Sequence, residues 1–327
     1  MITHQDISII IPVYNVAKYL PECLDSILVA NQFTGEVICI NDGSTDNSNN
    51  ILEQYAQQYP NIKHLSQQNQ GLGATRNNGL DIATGKYVFF IDSDDTLAPH
   101  AIETLCKSVD EEDIVYFDII NQNDKGEIIL RPWSKTIPVK NVSGKDYYEH
   151  YYNENVTVWS GIYKKSFLEQ NNLKFLPNVY YEDELFTIQA IHYASQIKTL
   201  QITLYSYRTR NASITSTITD KHIHDTLIIN NAIYTFLQNN NWFTPKTKRK
   251  VWNQYKRIIE NSNQIQHPLV KKLPKKHWQN MMACCSDNIQ DIRTSKLAKF
   301  SIKKAYQYYN YQLLKWERKI INLFLSK

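Results

Sequence analysis

Tyr87-Val88-Phe89-Phe90-Ile91-Asp92-Ser93-Asp94-Asp95 joins an uncharged run of β-formers to three carboxylates. The apolar half has the length and content of a buried central strand covered on both faces. Acids at the C-terminal end of such a strand stand where open α/β sheets bind their ligands. Carboxylates packed this closely repel one another unless a cation joins them. Their oxygens are what a hard divalent ion takes, especially one shared with phosphate oxygens. Asp94, Asp95 and Thr96 can also cap a following helix, the alternative use of the same residues.

Upstream of this stretch, strand and helix patterns alternate. Ile7 to Ile11 reads as a buried first strand, ended by Pro12, because proline cannot continue a central ladder. Tyr19 to Leu28 carries Leu20, Leu24, Ile27 and Leu28 at helical spacing. Glu36 to Ile40 is a second β-rich run, ended by Asn41-Asp42-Gly43-Ser44, and Asp46-Asn47-Ser48 opens a helix reaching about Tyr59. Ile62 to Leu65 is a short third strand. Asn69-Gln70-Gly71-Leu72-Gly73-Ala74-Thr75-Arg76 then offers a tight glycine turn and a cation near a helix start, a form that can approach a phosphate. It lacks the third glycine of the dinucleotide fingerprint and follows the third strand rather than the first, which excludes a nicotinamide site. The alternation predicts a mostly parallel α/β sheet. Asn15, Asp42, Arg76 and Asp92 to Asp95 should converge on one of its edges, and this convergence favours a metal–diphosphate site.

Downstream, Ile114 to Ile120 is a strand, joined by an Asn123-Asp124-Lys125-Gly126 turn to Ile128-Ile129-Leu130. Tyr147, Tyr148, Tyr151 and Tyr152 suit a helix side, Lys165 to Asn172 looks helical, and Glu182-Asp183-Glu184 interrupts an aromatic context ahead of another helix. Ile202 to Arg208 is a last strand, with a polar loop through Ser213 after it. From about Lys221 the pattern is helical throughout, and the spacing of Leu297, Phe300, Tyr308, Trp316 and Leu323 continues it. Two domains are expected, 1–220 and 221–327.

Six of these segments, in order, resemble the family 2 glycosyltransferases, whose fold is GT-A. They are Ser8 to Asn15, Val37 to Ser48, Asn69 to Gly79, Tyr87 to Asp95, Tyr181 to Phe186 and Tyr205 to Ile214. The resemblance covers about the first 220 residues. It implies inverting transfer of a sugar from a nucleotide diphosphate, UDP above all, to a bacterial surface glycan such as lipooligosaccharide or capsule. It further implies a base pocket at Pro12, Val13 and Tyr14, with Asn15 beside it, and Asp42 reading the pyrimidine. Asn69, Gly71 and Arg76 lie at the base and diphosphate, and Asp92 and Ser93 at the ribose. Asp94, with Asp92, holds Mn²⁺ or Mg²⁺, while Asp183, with Glu182 beside it, is the catalytic base. Arg208 and Ser213 close over the diphosphate. Trp159 and Tyr181 are candidates to stack on the acceptor sugar, and His222 or His224 to complete the metal shell.

Other functions remain in play. A sugar-phosphate nucleotidyltransferase would need a basic glycine loop after strand one, where Pro12-Val13-Tyr14-Asn15 stands instead. A non-catalytic nucleotide-binding assembly module would not need Asp92, Asp94 and Asp183 together. Five cysteines without Cys-x-x-Cys spacing, and no basic-then-apolar leader, point to a reducing cytoplasm. The net charge of +4 conceals a split: residues 240–327 hold 19 Lys and Arg against 4 Asp and Glu, the rest 17 against 28. A basic tail of this kind suits a solvated helix face, the anionic cytoplasmic surface of the inner membrane bearing a lipid-linked acceptor, or a homo-oligomer contact. Nucleic acid is excluded as a partner, since no recognition motif is present and the body is acidic.

Overall fold

A computed structural model describes residues 1–124, 126–129, 137–152, 157–210, 217–264, 277 and 280. The chain divides into two compact units, Met1–Thr217 and Ile218–Lys327.

The first unit begins β1 (Ile7–Val13), α1 (Leu20–Leu28), β2 (Glu36–Asn41), α2 (Ser48–Gln58), β3 (Ile62–Ser66), α3 (Leu72–Ile82) and β4 (Tyr87–Phe90). All seven residues of β1 and all four of β4 are buried, so the sheet is covered on both faces here. β1 pairs in parallel with β2 and β4, and β2 with β3. Contrary to the expectation that Pro12 ends it, β1 runs on to Val13. The Ile10 carbonyl accepts from the Ile91 N–H on the β4 side, and the Val13 carbonyl accepts from the Asp42 N–H on the β2 side. Alternation along the strand turns the missing N–H of Pro12 toward β4, beyond the last residue paired there, Ile10 opposite Phe90.

β5 (Thr96–Leu97), α4 (Ala101–Ser108), β6 (Ile114–Asn123), β7 (Ile128–Ile129), α5 (Gly144–Asp146), β8 (Gly161–Lys164), α6 (Lys165–Gln170), α7 (Glu182–Tyr193) and β9 (Ile197–Thr209) complete the unit. The strand order is β3-β2-β1-β4-β8-β6-β9-β5, with β7 on β6. β8 is antiparallel to both β4 and β6, whereas β6 and β9 are parallel. The sheet is thus parallel in its first half and mixed beyond β4. β9 begins five residues before the expected Ile202, because its register against β6 jumps between Leu200 and Thr203. The two unpaired residues break the alternation that marks a strand in sequence. The tyrosine-rich stretch forms only one turn of α5 and a π-turn over Tyr147–Tyr151, with Tyr147 and Tyr148 buried.

The second unit contains α8 (Asp220–Asn239) and α9 (Pro245–Gln264). The helical pattern is interrupted between them, where Asn241 has φ 50°. Pro245 then takes the first position of α9, where its lost N–H costs nothing. The expected aromatic stripe from Leu297 to Leu323 lies outside the described residues, as do Cys284 and Cys285.

Candidate active site

Three glycines in α3 and its approach bring two distant segments together. Gly71 has φ +81°, which a side chain rarely adopts, and it starts the helix. A Cβ on Gly73 would lie 2.6 Å from the Leu176 carbonyl, and one on Gly79 would lie 2.4 Å from the Ile10 side chain. Without side chains, α3 seats against β1 on one side and the Phe175–Leu176 backbone on the other.

That seating buries Arg76, which is 2% exposed. Its two terminal nitrogens donate to Glu182 Oε1 at 2.5 Å and Asp92 Oδ1 at 2.7 Å, and its guanidinium lies 5.4 Å from the Phe175 ring centroid. Burial opposes the Arg76 charge, but Asp92 and Glu182 outweigh it and hold the group still more firmly protonated. Burial pushes the Glu182 carboxyl above its ordinary range, against the pull of Arg76. A single cation therefore links the end of β4 to the start of α7, two sites 90 residues apart in sequence.

α7 opens on Tyr181, in the left-handed region at φ 65°, and carries Glu182, Asp183 and Glu184 in its first turn. The positive end of the helix dipole favours such acids. Glu182 is buried against Arg76; Asp183, Glu184 and Tyr181 are half-buried.

The three acids after β4 divide by environment. Asp92 is half-buried on Arg76, and Ser93 is buried beside it. Asp94 Oδ2 lies 2.5 Å from Arg210 Nε. Burial raises the Asp94 carboxyl; Arg210 opposes this and the neighbouring Asp92 charge adds to it. Asp95 is fully buried, with one oxygen accepting from the Tyr205 hydroxyl at 2.7 Å and the other from the Arg208 N–H at 2.7 Å. Asp95 thus fastens β9 under the ledge, with both oxygens hydrogen-bonded inside the fold. Among the described residues, no group of three or more His, Cys, Asp or Glu is arranged to hold a metal. Magnesium and manganese sites built on one or two carboxylates plus substrate phosphates do not need one.

The other expected residues fall into two sets. Tyr14 is half-exposed at 50%, while Pro12 and Val13 are buried in the core, so only their backbone can border a ligand. Asn15 Oδ1 accepts from the Thr45 N–H at 2.8 Å and the Asp46 N–H at 3.3 Å, clasping the loop after β2. Asp42 spends both oxygens on the glycine turn, accepting from Gln67, from the Gln70 N–H and from the Gly71 N–H at 2.8 to 2.9 Å. Asn69 is exposed, next to Gly43. Trp159, expected on the acceptor side, is packed instead into the core. Its ring stacks on Tyr205 at 4.9 Å and Tyr207 at 5.1 Å and is 6% exposed. Arg208 is buried, donating to the Asp94 carbonyl at 3.0 Å and pairing with Glu22 at 2.7 Å. His222 sits in the capping turn of α8 with Thr219. Ser213 lies outside the described residues.

The family model for glycosyl transferase family 2 matches residues 8–170. The glycosyltransferase EpsH of Bacillus subtilis is 31% identical over 244 residues, which cover 72% of this chain and 70% of EpsH. This chain belongs to glycosyl transferase family 2. The glycosyltransferase YibD of Escherichia coli is 32% identical over 64% of this chain, but the match spans only 62% of YibD. S. aureus TarS 1-349, crystallised in complex with UDP-GlcNAc, superposes with a TM-score of 0.59 at 22% identity, over 87% of this chain and 81% of that one. The likeness places the family 2 chain in the GT-A fold.

Sequence reading passed over four residues of this family 2 site: Tyr19, Glu22, Tyr205 and Arg210. Arg210 was legible in principle, since residues two apart on a strand share a face and Arg208 was already chosen. Tyr19 and Glu22 carried no signal, because the arginines they meet stand at the end of β9, far along the chain.

Proposed function

We propose that this chain is an inverting, metal-dependent glycosyltransferase. It moves a sugar from a UDP-sugar to a hydroxyl of a bacterial surface glycan, with Asp183 as general base. The observation that carries this reading is the Arg76 bridge, which ties the acids after β4 to the acidic first turn of α7. Donor-side and base-side groups are thereby held at a fixed spacing before any substrate arrives.

Asp94, with Asp92, would hold Mn²⁺ or Mg²⁺, which suits two neighbouring oxygen-donor carboxylates whose charges raise each other's cost. When bound, the ion supplies charge neutralisation for the departing diphosphate. Arg76 and Arg208 add fixed positive charge on the same side. Of the three acids on α7, Glu182 is consumed by Arg76. Asp183, half-buried beside it, accepts the proton of the acceptor hydroxyl as that oxygen bonds to the anomeric carbon. The carbon–oxygen bond to the diphosphate breaks with its electron pair, and UDP leaves from the opposite face. Tyr14, exposed beyond β1, borders the base. UDP as carrier is supported by the UDP-GlcNAc and UDP complexes of TarS. Donor sugar and acceptor follow from pocket shape, which a panel of nucleotide sugars would read.

The test measures UDP release from that panel with Mn²⁺. Asp94→Asn should abolish metal-dependent turnover. Asp183→Asn should lower kcat by roughly 10²–10⁴ while leaving UDP affinity within about twofold. Wild-type rates in either variant overturn the corresponding role.

A further inference from the structure

Both carboxylates proposed to face a divalent ion already carry a guanidinium, and the two pairs are built differently. Arg76 is itself buried, although Asp92 is 23% accessible, and it is shared with Glu182, so it cannot leave without stranding two acids. Arg210 on Asp94 is part-exposed: the side chains of the pair are 20% and 17% accessible. Arg210 stands at the open end of β9, and its guanidinium lies 5.5 Å from the centroid of the Tyr19 ring. The Arg208 guanidinium lies 5.4 Å from the same centroid, but its charge is directed to Glu22. The ring is steadied through its hydroxyl, which donates to Asp124 at 3.0 Å. An aromatic face holds a cation by about 0.5–2 kcal/mol without consuming any of its N–H donors. Arg210 is therefore lodged on a support it can keep while its ion pair changes partner.

We propose that Arg210 is a resident counter-ion on Asp94, which it gives up to a divalent cation only when a diphosphate is present to receive its guanidinium. The inference rests on the metal role assigned to Asp94 above. Its consequence is coupling. A bare cation must evict Arg210 and leave it uncompensated, so it binds poorly. With a diphosphate present, the guanidinium exchanges one anionic partner for another, and the two ligands strengthen each other reciprocally.

Mn²⁺ binding to the full chain, followed by the electron paramagnetic resonance of free Mn²⁺ with and without UDP, tests this without turnover. In the wild type, UDP should tighten Mn²⁺ binding roughly 5–150-fold, the usual range of such couplings. Arg210→Gln should bind Mn²⁺ alone about tenfold more tightly, and UDP should add correspondingly less. Tyr19→Ala, which removes the support but no charge, should move in the same direction by a smaller factor. Lys18→Gln removes a cation 4.8 Å from the Tyr19 ring centroid that also donates to the Tyr19 hydroxyl at 3.3 Å, but it leaves Arg210 on Asp94 and the ring in place, and should change less than Tyr19→Ala. Equal Mn²⁺ affinity in wild type and Arg210→Gln overturns the inference, as does an equal gain in Lys18→Gln. If wild type takes up Mn²⁺ with UDP but the coupling survives in Arg210→Gln, the counter-ion role fails and the metal role stands. If no form takes up Mn²⁺ even with UDP, the metal role itself is wrong.

Discussion

At the scale of single residues, the same side-chain chemistry serves different ends according to what packs beside it. Asp42 and Asp95 are legible as acids after strands, but the structure spends both on N–H and O–H donors of the fold. Glu36 shows how much such a buried-edge acid contributes. It accepts from the Thr84 N–H at 2.8 Å and the Thr84 hydroxyl at 3.0 Å, and it also pairs with Ser8 and Lys63. Burial pushes its carboxyl up, but the four donors outweigh burial and hold it below its ordinary value of 4.5. A depressed folded pKa means that this contribution is fully present above the unfolded value and is lost as pH falls through the folded one. The Tm of the wild type should therefore decline on the acid side of pH 4.5, and Glu36→Gln should flatten that decline and lower Tm at neutral pH. Superimposable Tm–pH curves would remove Glu36 from the account.

At the scale of elements, α3 decides whether the site exists. Its apolar pattern is weak, and what seats it is the absence of side chains. The sequence Gly-x-Gly was readable as a phosphate-approaching turn, yet Gly73 serves α3's contact with the Leu176 carbonyl and lies 3.1 Å from Glu182 Cγ by its notional Cβ. Gly73→Ala should cost roughly 1–3 kcal/mol, as overpacking does. It should also reduce kcat, because the shift carries Glu182, and with it Arg76 and the start of α7. Differential scanning calorimetry and kcat together check this: a lowered Tm with unchanged kcat would separate α3 packing from catalysis. β9 teaches the converse. Its bulge between Leu200 and Thr203 hid the first half of the strand from period-two reading, while the second half, carrying Tyr205, Tyr207 and Arg208, kept the pattern and was found.

At the scale of the whole molecule, the chain has an acidic body and a strongly basic C-terminal stretch, and no helix among the described residues is long and apolar enough to cross a membrane. We propose that the basic stretch brings the enzyme to anionic lipid carrying the acceptor. Residues 296–327 hold 8 Lys and Arg against a single Glu. Each cation near an anionic surface is worth about 1 kcal/mol and is screened by salt. Deleting 296–327 should cut co-sedimentation with phosphatidylserine-containing vesicles and remove its salt dependence, with neutral vesicles as the reference. Unchanged binding would assign the charge to solvation or to a partner chain.

The order of strands and helices through β4, the ledge of acids after it and the family were written in the sequence. Local periodicity, turn chemistry and motif spacing depend only on neighbours along the chain. Which acid meets which arginine was decided by the tertiary structure. Arg76 with Glu182, Arg210 with Asp94 and Tyr205 with Asp95 pair residues more than 100 positions apart. Such pairs form only after strand order and helix seating have set the distances, and a carboxylate's role depends on whether burial has left it an oxygen to spare.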